Sequence, residues 1–291
     1  MIELDHLWLD AHPLPSAGSD TDKDARGVVL AAGGSESVPG ALLLTGEAAL
    51  RSGAGKVQLA TVDRAALLLG LQMPEAATFS LPTNANGELA GAAGTALAYR
   101  LDQCGALIVG PGMGPDADAA GLLEALIAHP PEQGSLLLDA AMIPAAQKFE
   151  NHPSPWRERR VLTPHLGEMA ELMGCAEADV TPELAGEAAE RFGATVVLKS
   201  SETWIAEPGM EMLHYAGGGP GLATAGSGDV LAGIIGGMLA RGASAFTAAG
   251  WGVWLHGEAG KRLAARDGPL GFLARELPPL VPALLAKRTA P

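Results

Sequence analysis

The sequence predicts an α/β fold in three layers, with a mostly parallel central sheet and helices on both faces. Short apolar segments that are typical of buried strands alternate with longer segments of helical periodicity along the 291 residues. The connections are short, and no linker or change of composition separates the segments. Apolar residues make up 48% of the chain, which is enough for a large buried core.

Each predicted strand is a short run rich in apolar and β-branched residues, as expected for a parallel sheet that is buried on both faces. The last two runs are separated by Glu207-Pro-Gly-Met210 and predict a hairpin. In chain order the strands are 27–32, 56–61, 106–110, 135–139, 160–163 and 195–199, followed by the hairpin 203–206 and 211–215.

Each predicted helix carries apolar residues at helical spacing or begins at a capping residue. Thr181-Pro182, for example, is a typical pair of N-cap and first helical residue. In chain order the helices are 40–52, 117–128, one that begins at Pro164–Glu168, then 182–192, 230–240, 246–265 and 275–286.

We expect two parts of unequal size. Residues 1–26 are rich in Pro, Asp and Ser and predict an irregular lead-in with one short helix. Residues 27–291 predict a single domain, because strands and helices alternate there without a break.

The net charge of −14 argues against nucleic acid or an anionic membrane as a partner, since both bind basic surfaces. The N-terminus lacks the basic and apolar regions of a signal peptide, and no segment predicts a membrane span. Cys104 and Cys175 lie far apart without the spacing of metal ligands, which favours free thiols in a reducing compartment. We therefore expect a soluble cytoplasmic protein.

Several glycine turns and polar residues follow predicted strands. In an open parallel sheet, ligands bind at the carboxyl ends of the strands, so these segments should lie along one edge of the sheet. They are Gly33–Ser35, Gly110–Gly114, Asp139, His165 and the loop 217–229.

The loop 217–229 is the most informative segment, because it contains six glycines, ends at Asp229 and opens a helix. Glycines allow a backbone to approach a ligand closely, and a helix N-terminus attracts anions. Gly226, Ser227 and Gly228 can direct successive N–H groups at one anion, as in an oxyanion hole. Asp229 predicts a general base or acid, although a role as helix cap alone is the competing interpretation.

The remaining candidates are less specific. No P-loop or dinucleotide-binding glycine motif occurs. Glu168 predicts a cap for its helix, whereas His165 could point into a cleft as a hydrogen-bond donor. Lys199 and the hydroxyl groups after it could bind a phosphate or ribose, or Lys199 could be solvated at the start of an ordinary hairpin. Asp139 could bind a metal or a ribose hydroxyl, but it has no adjacent acid, which makes a dedicated metal cluster doubtful. His256 on an apolar helix predicts a structural role.

The chain resembles the ADP-dependent NAD(P)H-hydrate dehydratases of the ribokinase-like superfamily from about Gly27 to Leu285. The motif Gly-Ser-Gly-Asp alone also occurs in sugar and vitamin kinases, whereas the ordered set is specific to the dehydratases. The matching segments are Gly33-Gly-Ser35 with Gly40-Ala-Leu-Leu43, Ala48-Ala-Leu-Arg-Ser-Gly-Ala-Gly55, Val109-Gly-Pro-Gly-Met-Gly114, Leu162-Thr-Pro-His-Leu-Gly-Glu168, and Gly219-Pro-Gly-Leu-Ala-Thr-Ala-Gly-Ser-Gly-Asp-Val-Leu-Ala-Gly233.

The resemblance implies a ribokinase-like fold and a repair reaction. In that reaction the S epimer of NAD(P)H hydrate loses water, while ADP is cleaved to AMP and phosphate. It also implies Mg²⁺ held mainly by phosphates and water, ADP or ATP as co-substrate, a homo-oligomer for which a tetramer is plausible, and a separate epimerase for the R epimer. The substrate site implied by the family motifs consists of Ala41, Gly112, Gly114, His165 and Asp229. The implied nucleotide site consists of Lys199, Ser200, Ser201, Glu202, Thr203 and Gly228.

Two residues depart from the family pattern. Ser200 stands where the family commonly has Gly after the lysine, and Ala141 stands where it has a second Asp after the strand acid. Two alternatives to the dehydratase therefore stay open: a ribokinase-like kinase of a vitamin precursor, and a catalytically weakened nucleotide-binding protein.

Overall fold

A single ten-stranded sheet forms the centre of the computed structural model, which describes residues 1–15, 22–150 and 156–289. The strands are β1 (Ile2–Glu3), β2 (Val28–Ala32), β3 (Lys56–Val62), β4 (Ala76–Leu81), β5 (Ala106–Val109), β6 (Ser135–Leu138), β7 (Arg160–Leu162), β8 (Thr195–Lys199), β9 (Thr203–Ala206) and β10 (Leu213–Tyr215).

The strand order is β1-β10-β9-β8-β7-β6-β5-β2-β3-β4. Among the described strands, only β9 runs antiparallel to its neighbours, β8 and β10. In the centre of the sheet Ala32 pairs with Val109, and Val109 with Leu138. The strands in the middle of the sheet therefore end at the same level, and the loops after them meet at one edge.

Helices cover both faces of the sheet. The helices of the described chain are α1 (His6–Ala11), α2 (Ala41–Arg51), α3 (Asp63–Gln72), α4 (Ala92–Ala98), α5 (Ala119–Ala128), α6 (Met142–Ala145), α7 (Leu166–Met173), α8 (Pro182–Phe192), α9 (Ser227–Ala240), α10 (Ala245–Asp267) and α11 (Val281–Thr289). Alternate residues of each central strand point to opposite faces, so the sheet divides two hydrophobic cores. One core contains α1, α2, α9, α10 and α11, and the other contains α4 to α8.

This arrangement confirms the predicted three-layer α/β/α fold and its mostly parallel sheet. Most strand ends agree within one residue, and helix α8 agrees at both ends. The prediction missed α3, β4 and α4 in the segment between the second and third predicted strands. Strand β4 lies at the edge of the sheet and only Leu81 in it is buried, so it lacks the apolar run of a central strand.

The predicted helix 275–286 is wrong in its first half. The segment forms two 3₁₀ turns, Ala274–Glu276 and Pro278–Leu280, before α11 begins. Pro278 and Pro279 explain the difference, because proline donates no backbone hydrogen bond and disfavours the helical conformation of the residue before it.

The lead-in contains the predicted short helix, α1, and adds strand β1 to the sheet. Trp8 is 5% exposed and packs edge-to-face against Phe246 of α10. The indole of Trp251 donates to the carbonyl oxygen of His12 at 2.8 Å. Residues 2–12 therefore belong to the same core as the rest of the chain, and the domain boundary at residue 26 stays a prediction.

Helix α9 lies unusually close to its neighbours because glycines face them. A Cβ at Gly233 would lie 2.2 Å from the carbonyl oxygen of Thr45 in α2, and one at Gly236 would lie 2.3 Å from Ile108 of β5. No side chain fits in either gap, so the glycines allow α9 to pack between α2 and the sheet. This packing places the first turn of α9, with Asp229, at the carboxyl edge of the strands.

None of the helices in the described ranges has the length and apolar composition needed to cross a lipid bilayer.

Candidate active site

The glycine turns after β2 and β5 pack against each other at the carboxyl edge. The amide of Gly34 donates to the carbonyl oxygen of Pro111 at 2.7 Å, and a Cβ at Gly33 would lie 2.2 Å from the same oxygen. A Cβ at Gly112 would lie 2.5 Å from the Cβ of Ala41. Two predicted substrate residues, Ala41 and Gly112, are thus in contact, as the shared edge predicted.

A buried ion pair connects the ends of β6 and β8. The ammonium group of Lys199 donates to Oδ1 of Asp139 at 2.8 Å, and the side chains are 21% and 5% exposed. The hydroxyl of Thr163 donates to the same oxygen at 2.7 Å. Lys199 is therefore not a solvated residue at the start of a hairpin, and that alternative is wrong. Burial lowers the pKa of Lys199, but the charges of Asp139 and Glu168 outweigh it and leave the pKa above its usual value.

The first turn of α9 points at this pair. A Cβ at Gly228 would lie 3.6 Å from the Lys199 ammonium nitrogen and 3.8 Å from Oδ2 of Asp139. Because glycine has no side chain, the helix N-terminus and the lysine both face the space between them. A positive charge and free helix amides that converge in this way favour a bound anion such as a phosphoryl group.

Asp229 is held in a form that can exchange a proton near neutral pH. Burial, together with the charge of Asp139, raises the pKa of Asp229 to about 7 against the opposing charge of Lys199. A carboxylate with such a pKa is matched to general base catalysis. Its function as a mere helix cap has no support, since no side chain of the described structure caps the N-terminus of α9 by a hydrogen bond.

The three residues predicted to form an anion hole, Gly226, Ser227 and Gly228, lie at this turn. Gly226 has φ +87°, the left-handed conformation that favours glycine, and it precedes the helix directly. The amide of Ser227 donates to the carbonyl oxygen of Thr224 at 3.2 Å. Within the described residues the amides of Gly228 and Asp229 have no backbone partner, as is usual for the first turn of a helix.

Asp229 lines a cleft of about 850 Å³. Ala41 and Gly226 lie in the same cleft, with Glu47 and Arg51 of α2 and with Arg275. A cleft of this volume accommodates a small-molecule ligand.

Gly114 lines a second cleft of about 590 Å³, together with Ala140, Ala141 and Glu168. Its amide donates to Oε2 of Glu88 at 3.0 Å, and Glu88 is 8% exposed. The second predicted glycine of the substrate site is therefore fixed by a buried carboxylate. No local pattern indicated this contact, because the two residues are 26 positions apart.

His165 caps α7 with Glu168. The ring nitrogen Nδ1 of His165 accepts from the Glu168 amide at 3.2 Å, and the Glu168 carboxylate accepts from the His165 amide at 2.8 Å. This reciprocal capping box confirms the cap predicted for Glu168. The His165 side chain is 60% exposed, so its ring is accessible from solvent. Burial raises the pKa of Glu168, against the opposing charge of Lys199.

Residues 200–202 form the tight turn between β8 and β9. The Ser200 hydroxyl donates to the carbonyl oxygen of Glu202 at 2.7 Å. The Glu202 carboxylate contacts Nε2 of His214 at 2.8 Å, and the His214 ring stacks on Trp204 with centroids 4.1 Å apart. Ser200 and Ser201 are exposed at the turn, whereas Lys199 points back to Asp139.

His256 is buried behind the first turn of α9. Its Nε2 lies 3.0 Å from the hydroxyl of Ser227, and both residues are less than 10% exposed. Burial lowers the pKa of His256 to about 4, so the ring is neutral at pH 7. The position of the ring behind the helix agrees with the structural role predicted for it.

Among the described residues, no group of three or more His, Cys, Asp and Glu side chains is arranged to hold a metal ion.

Comparison with known proteins identifies the family of this chain. The family model for NAD(P)H-hydrate dehydratase matches residues 29–282. The chain is 44% identical over 282 residues to the ADP-dependent (S)-NAD(P)H-hydrate dehydratase of Xanthomonas campestris pv. campestris, covering 95% of this chain and 93% of that protein. The chain belongs to the NAD(P)H-hydrate dehydratase family.

Solved structures of the family and its superfamily have the same fold. A ribokinase-like superfamily protein of Enterococcus faecalis has a TM-score of 0.85 and 30% identity, over 100% of this chain and 97% of that chain. The ADP/ATP-dependent NAD(P)H-hydrate dehydratase of Bacillus subtilis, co-crystallised with ATP and Mg²⁺, has a TM-score of 0.82 and 27% identity, over 99% and 98%. The ribokinase-like fold implied by the sequence resemblance is confirmed.

Other family members are longer. The bifunctional NAD(P)H-hydrate repair enzyme of Moorella thermoacetica is 36% identical over 275 residues, and this chain spans 52% of its length. The matched region covers 94% of the present chain.

The site contains residues that the sequence alone did not assign. The sequence indicates Asp139 as a candidate ligand of a metal or a ribose hydroxyl but not as the partner of an ion pair, and it does not indicate Thr163 or Glu88 as site residues. The sequence shows that Asp139 and Lys199 each lie at the end of a predicted strand. Only the parallel order β6-β7-β8 in the folded sheet brings the two side chains together.

Proposed function

We propose that this protein dehydrates the S epimer of NAD(P)H hydrate and couples the reaction to cleavage of ADP into AMP and phosphate. Membership of the dehydratase family supports this function. The observation that carries it in the structure is Asp229, a carboxylate with a pKa of about 7 that lines a cleft and directly follows Gly228, the residue of α9 that approaches the Lys199 ammonium.

The first step is a phosphoryl transfer. The hydrate hydroxyl attacks the terminal phosphorus of ADP, its proton goes to the Asp229 carboxylate, and AMP leaves. The first-turn amides of α9 and the Lys199 ammonium stabilise the negative charge of the phosphoryl group during its transfer. Because hydroxide is a poor leaving group and phosphate a good one, this step prepares the next.

The second step is an elimination. The lone pair of the ring nitrogen assists loss of phosphate from the hydroxylated carbon, and the neighbouring carbon loses a proton to form the double bond. The products are reduced nicotinamide nucleotide, phosphate and AMP. The overall change is loss of water from the hydrate and addition of that water to ADP.

The substrate and nucleotide sites follow the residues implied by the family motifs. Ala41, Gly112, Gly114, His165 and Asp229 bind the hydrate in this proposal. Lys199, Ser200, Ser201, Glu202, Thr203 and Gly228 bind ADP or ATP. The anion hole predicted at Gly226, Ser227 and Gly228 uses the amides of Gly228 and Asp229, because the Ser227 amide donates to Thr224. The contact of Ala41 with Gly112 and the approach of Gly228 to Lys199 support these two groups.

The wider setting of the reaction is also part of the proposal. Mg²⁺ enters bound to nucleotide phosphates, which agrees with the ATP/Mg²⁺ co-crystal of the Bacillus subtilis relative. The bifunctional names of longer relatives support pairing with a separate epimerase that converts the R epimer. A homo-oligomer, with a tetramer plausible, and a cytoplasmic location stay predictions.

One assay tests the function against its alternatives. Purified protein is mixed with enzymatically hydrated NADH, Mg²⁺ and ADP, and recovery of absorbance at the reduced nicotinamide band is followed. We expect recovery with stoichiometric release of AMP and phosphate. A stable phosphorylated product would indicate a kinase, and no recovery with either ADP or ATP would refute the dehydratase function.

A further inference from the structure

Asp139 is not among the substrate or nucleotide residues that the family motifs imply, yet it is the most enclosed acid of the site. Its side chain is 5% exposed and its Oδ1 accepts two hydrogen bonds, from Thr163 at 2.7 Å and from Lys199 at 2.8 Å. A buried carboxylate that is fixed from two sides cannot move to follow a substrate. It can hold a partner in place.

The partner is the Lys199 side chain, which ends beside the first turn of α9. The ammonium nitrogen lies 3.6 Å from the position of a Cβ at Gly228, and Oδ2 of Asp139 lies 3.8 Å from it. A lysine side chain has four rotatable bonds, so without a fixed anion it would leave this position for solvent. The acid at the end of β6 therefore fixes where the cation at the end of β8 meets the helix.

The same acid acts on Asp229 through space. Among the groups around Asp229, Asp139 opposes its ionised form and Lys199 favours it. The other charged or titratable groups that face this region are Glu168 of α7, His256 of α10, Glu47 and Arg51 of α2, Glu75, and Arg275.

We propose that Asp139 is a positioning residue, which holds the Lys199 ammonium beside the N-terminus of α9, against the phosphoryl group. The assignment to phosphoryl transfer rests on the proposed function. Asp139 itself touches Lys199 and Thr163 rather than the reacting atoms. The family commonly has a second Asp at the position of Ala141. Its absence does not affect the role of Asp139, because the Asp139 carboxylate acts through Lys199.

The test is Asp139→Asn in the full chain. Asparagine keeps the shape of the side chain and can still accept from Thr163, but it removes the charge. We expect the affinity for MgADP, measured by calorimetry, to fall about 10- to 100-fold, as for loss of a charge-assisted hydrogen bond. The acid limb of the kcat/KM profile should move about one pH unit lower, because Asp229 loses a neighbouring negative charge.

A matched control is Glu207→Gln. Glu207 is also a partly buried carboxylate that accepts from a threonine, Thr195, at 2.7 Å, but it lies at the other end of β8. This variant should leave the MgADP affinity and the pH profile unchanged. Asp139→Glu, which restores a carboxylate, should recover part of the affinity.

Asp139→Asn leaves a buried lysine without its anion and could therefore fail to fold. The double variant Asp139→Asn with Lys199→Met removes both charges and should fold, but with the weak MgADP binding of a site that lacks its cation. Unchanged MgADP affinity in either variant, or an unchanged acid limb in a folded Asp139→Asn protein, would refute the inference. The binding measurement needs no hydrate, so it distinguishes failure of this inference from failure of the dehydratase function.

Discussion

Replacement of Asp229 by asparagine should abolish turnover and at the same time stabilise the protein. As the general base, Asp229 must accept a proton from the substrate hydroxyl, which an amide cannot do, and loss of such a base costs about 10²- to 10⁴-fold in rate. The stabilisation has a separate origin. The folded structure raises the pKa of Asp229 from 3.8 to about 7, so it disfavours the ionised form that the unfolded chain adopts freely.

The size of this effect follows from the raised pKa. Each pH unit of difference between folded and unfolded states corresponds to about 1.36 kcal/mol, so the rise from 3.8 to about 7 amounts to on the order of 4 kcal/mol. Because the pKa of Asp229 is higher in the folded state, the folded protein binds more protons than the unfolded chain between about pH 4 and pH 7. The free energy of unfolding therefore declines as the pH rises from about 4 to about 7 and levels off above pH 7. An asparagine side chain has no proton to lose in this range, so the Asp229→Asn variant lacks this decline.

Thermal unfolding at several pH values measures the difference. At pH 8 the Asp229→Asn protein should unfold roughly 10 °C higher than the wild type, since about 2–4 °C corresponds to 1 kcal/mol in a chain of this size. At pH 5 the gap should shrink to less than half, because wild-type Asp229 is then protonated in the folded state.

The control is Asp118→Asn at the N-cap of α5, an exposed acid whose side chain accepts from the Gly121 amide at 3.0 Å. Asparagine is an equally good N-cap, so this variant should keep the helix cap and leave the rate of turnover unchanged. A stability gap between wild type and Asp229→Asn that is equal at pH 5 and pH 8 would show that the raised pKa does not describe the folded protein. Retention of turnover would remove Asp229 as the base.

Three further predictions concern the packing behind the site. Gly233→Ala places a Cβ 2.2 Å from the Thr45 carbonyl oxygen, so it should push α9 away from α2 and lower both stability and kcat. Gly186→Ala in α8, where the nearest atom is 3.8 Å away, should be neutral or stabilising. Equal unfolding temperatures for the two variants would contradict this expectation. His256→Leu should cost about 1–3 kcal/mol, because the buried Ser227 hydroxyl loses its partner, and His256→Gln should recover part of that in the same thermal unfolding assay. Since burial lowers the pKa of His256 from 6.5 to about 4, the stability of the wild type should also decrease as the pH falls from 6.5 towards 4. The His256→Gln protein should lose less stability over this range. An equal loss in the two proteins would contradict the assignment of a neutral buried ring.

Local patterns accounted for the fold to a large degree. The central strands can be predicted from their apolar runs because both faces of a parallel sheet are buried. The capping box at His165 and Glu168 can be predicted because it involves only two residues three positions apart. Strand β4 and helix α4 were missed because their buried faces are narrow, so the periodicity that identifies an element is weak there. The end of the chain was misjudged where two prolines override helical spacing.

The sequence by itself determined the fold class, the glycine loop and the position of Asp229 at the start of a helix, because each depends on neighbouring residues. Only the tertiary structure decided which distant side chains meet there. Asp139 and Lys199 are 60 positions apart and join because β6, β7 and β8 lie side by side and end at one level. The pKa of Asp229 is likewise set by burial and by these two charges, and burial is a property of the packed chain that no local pattern contains.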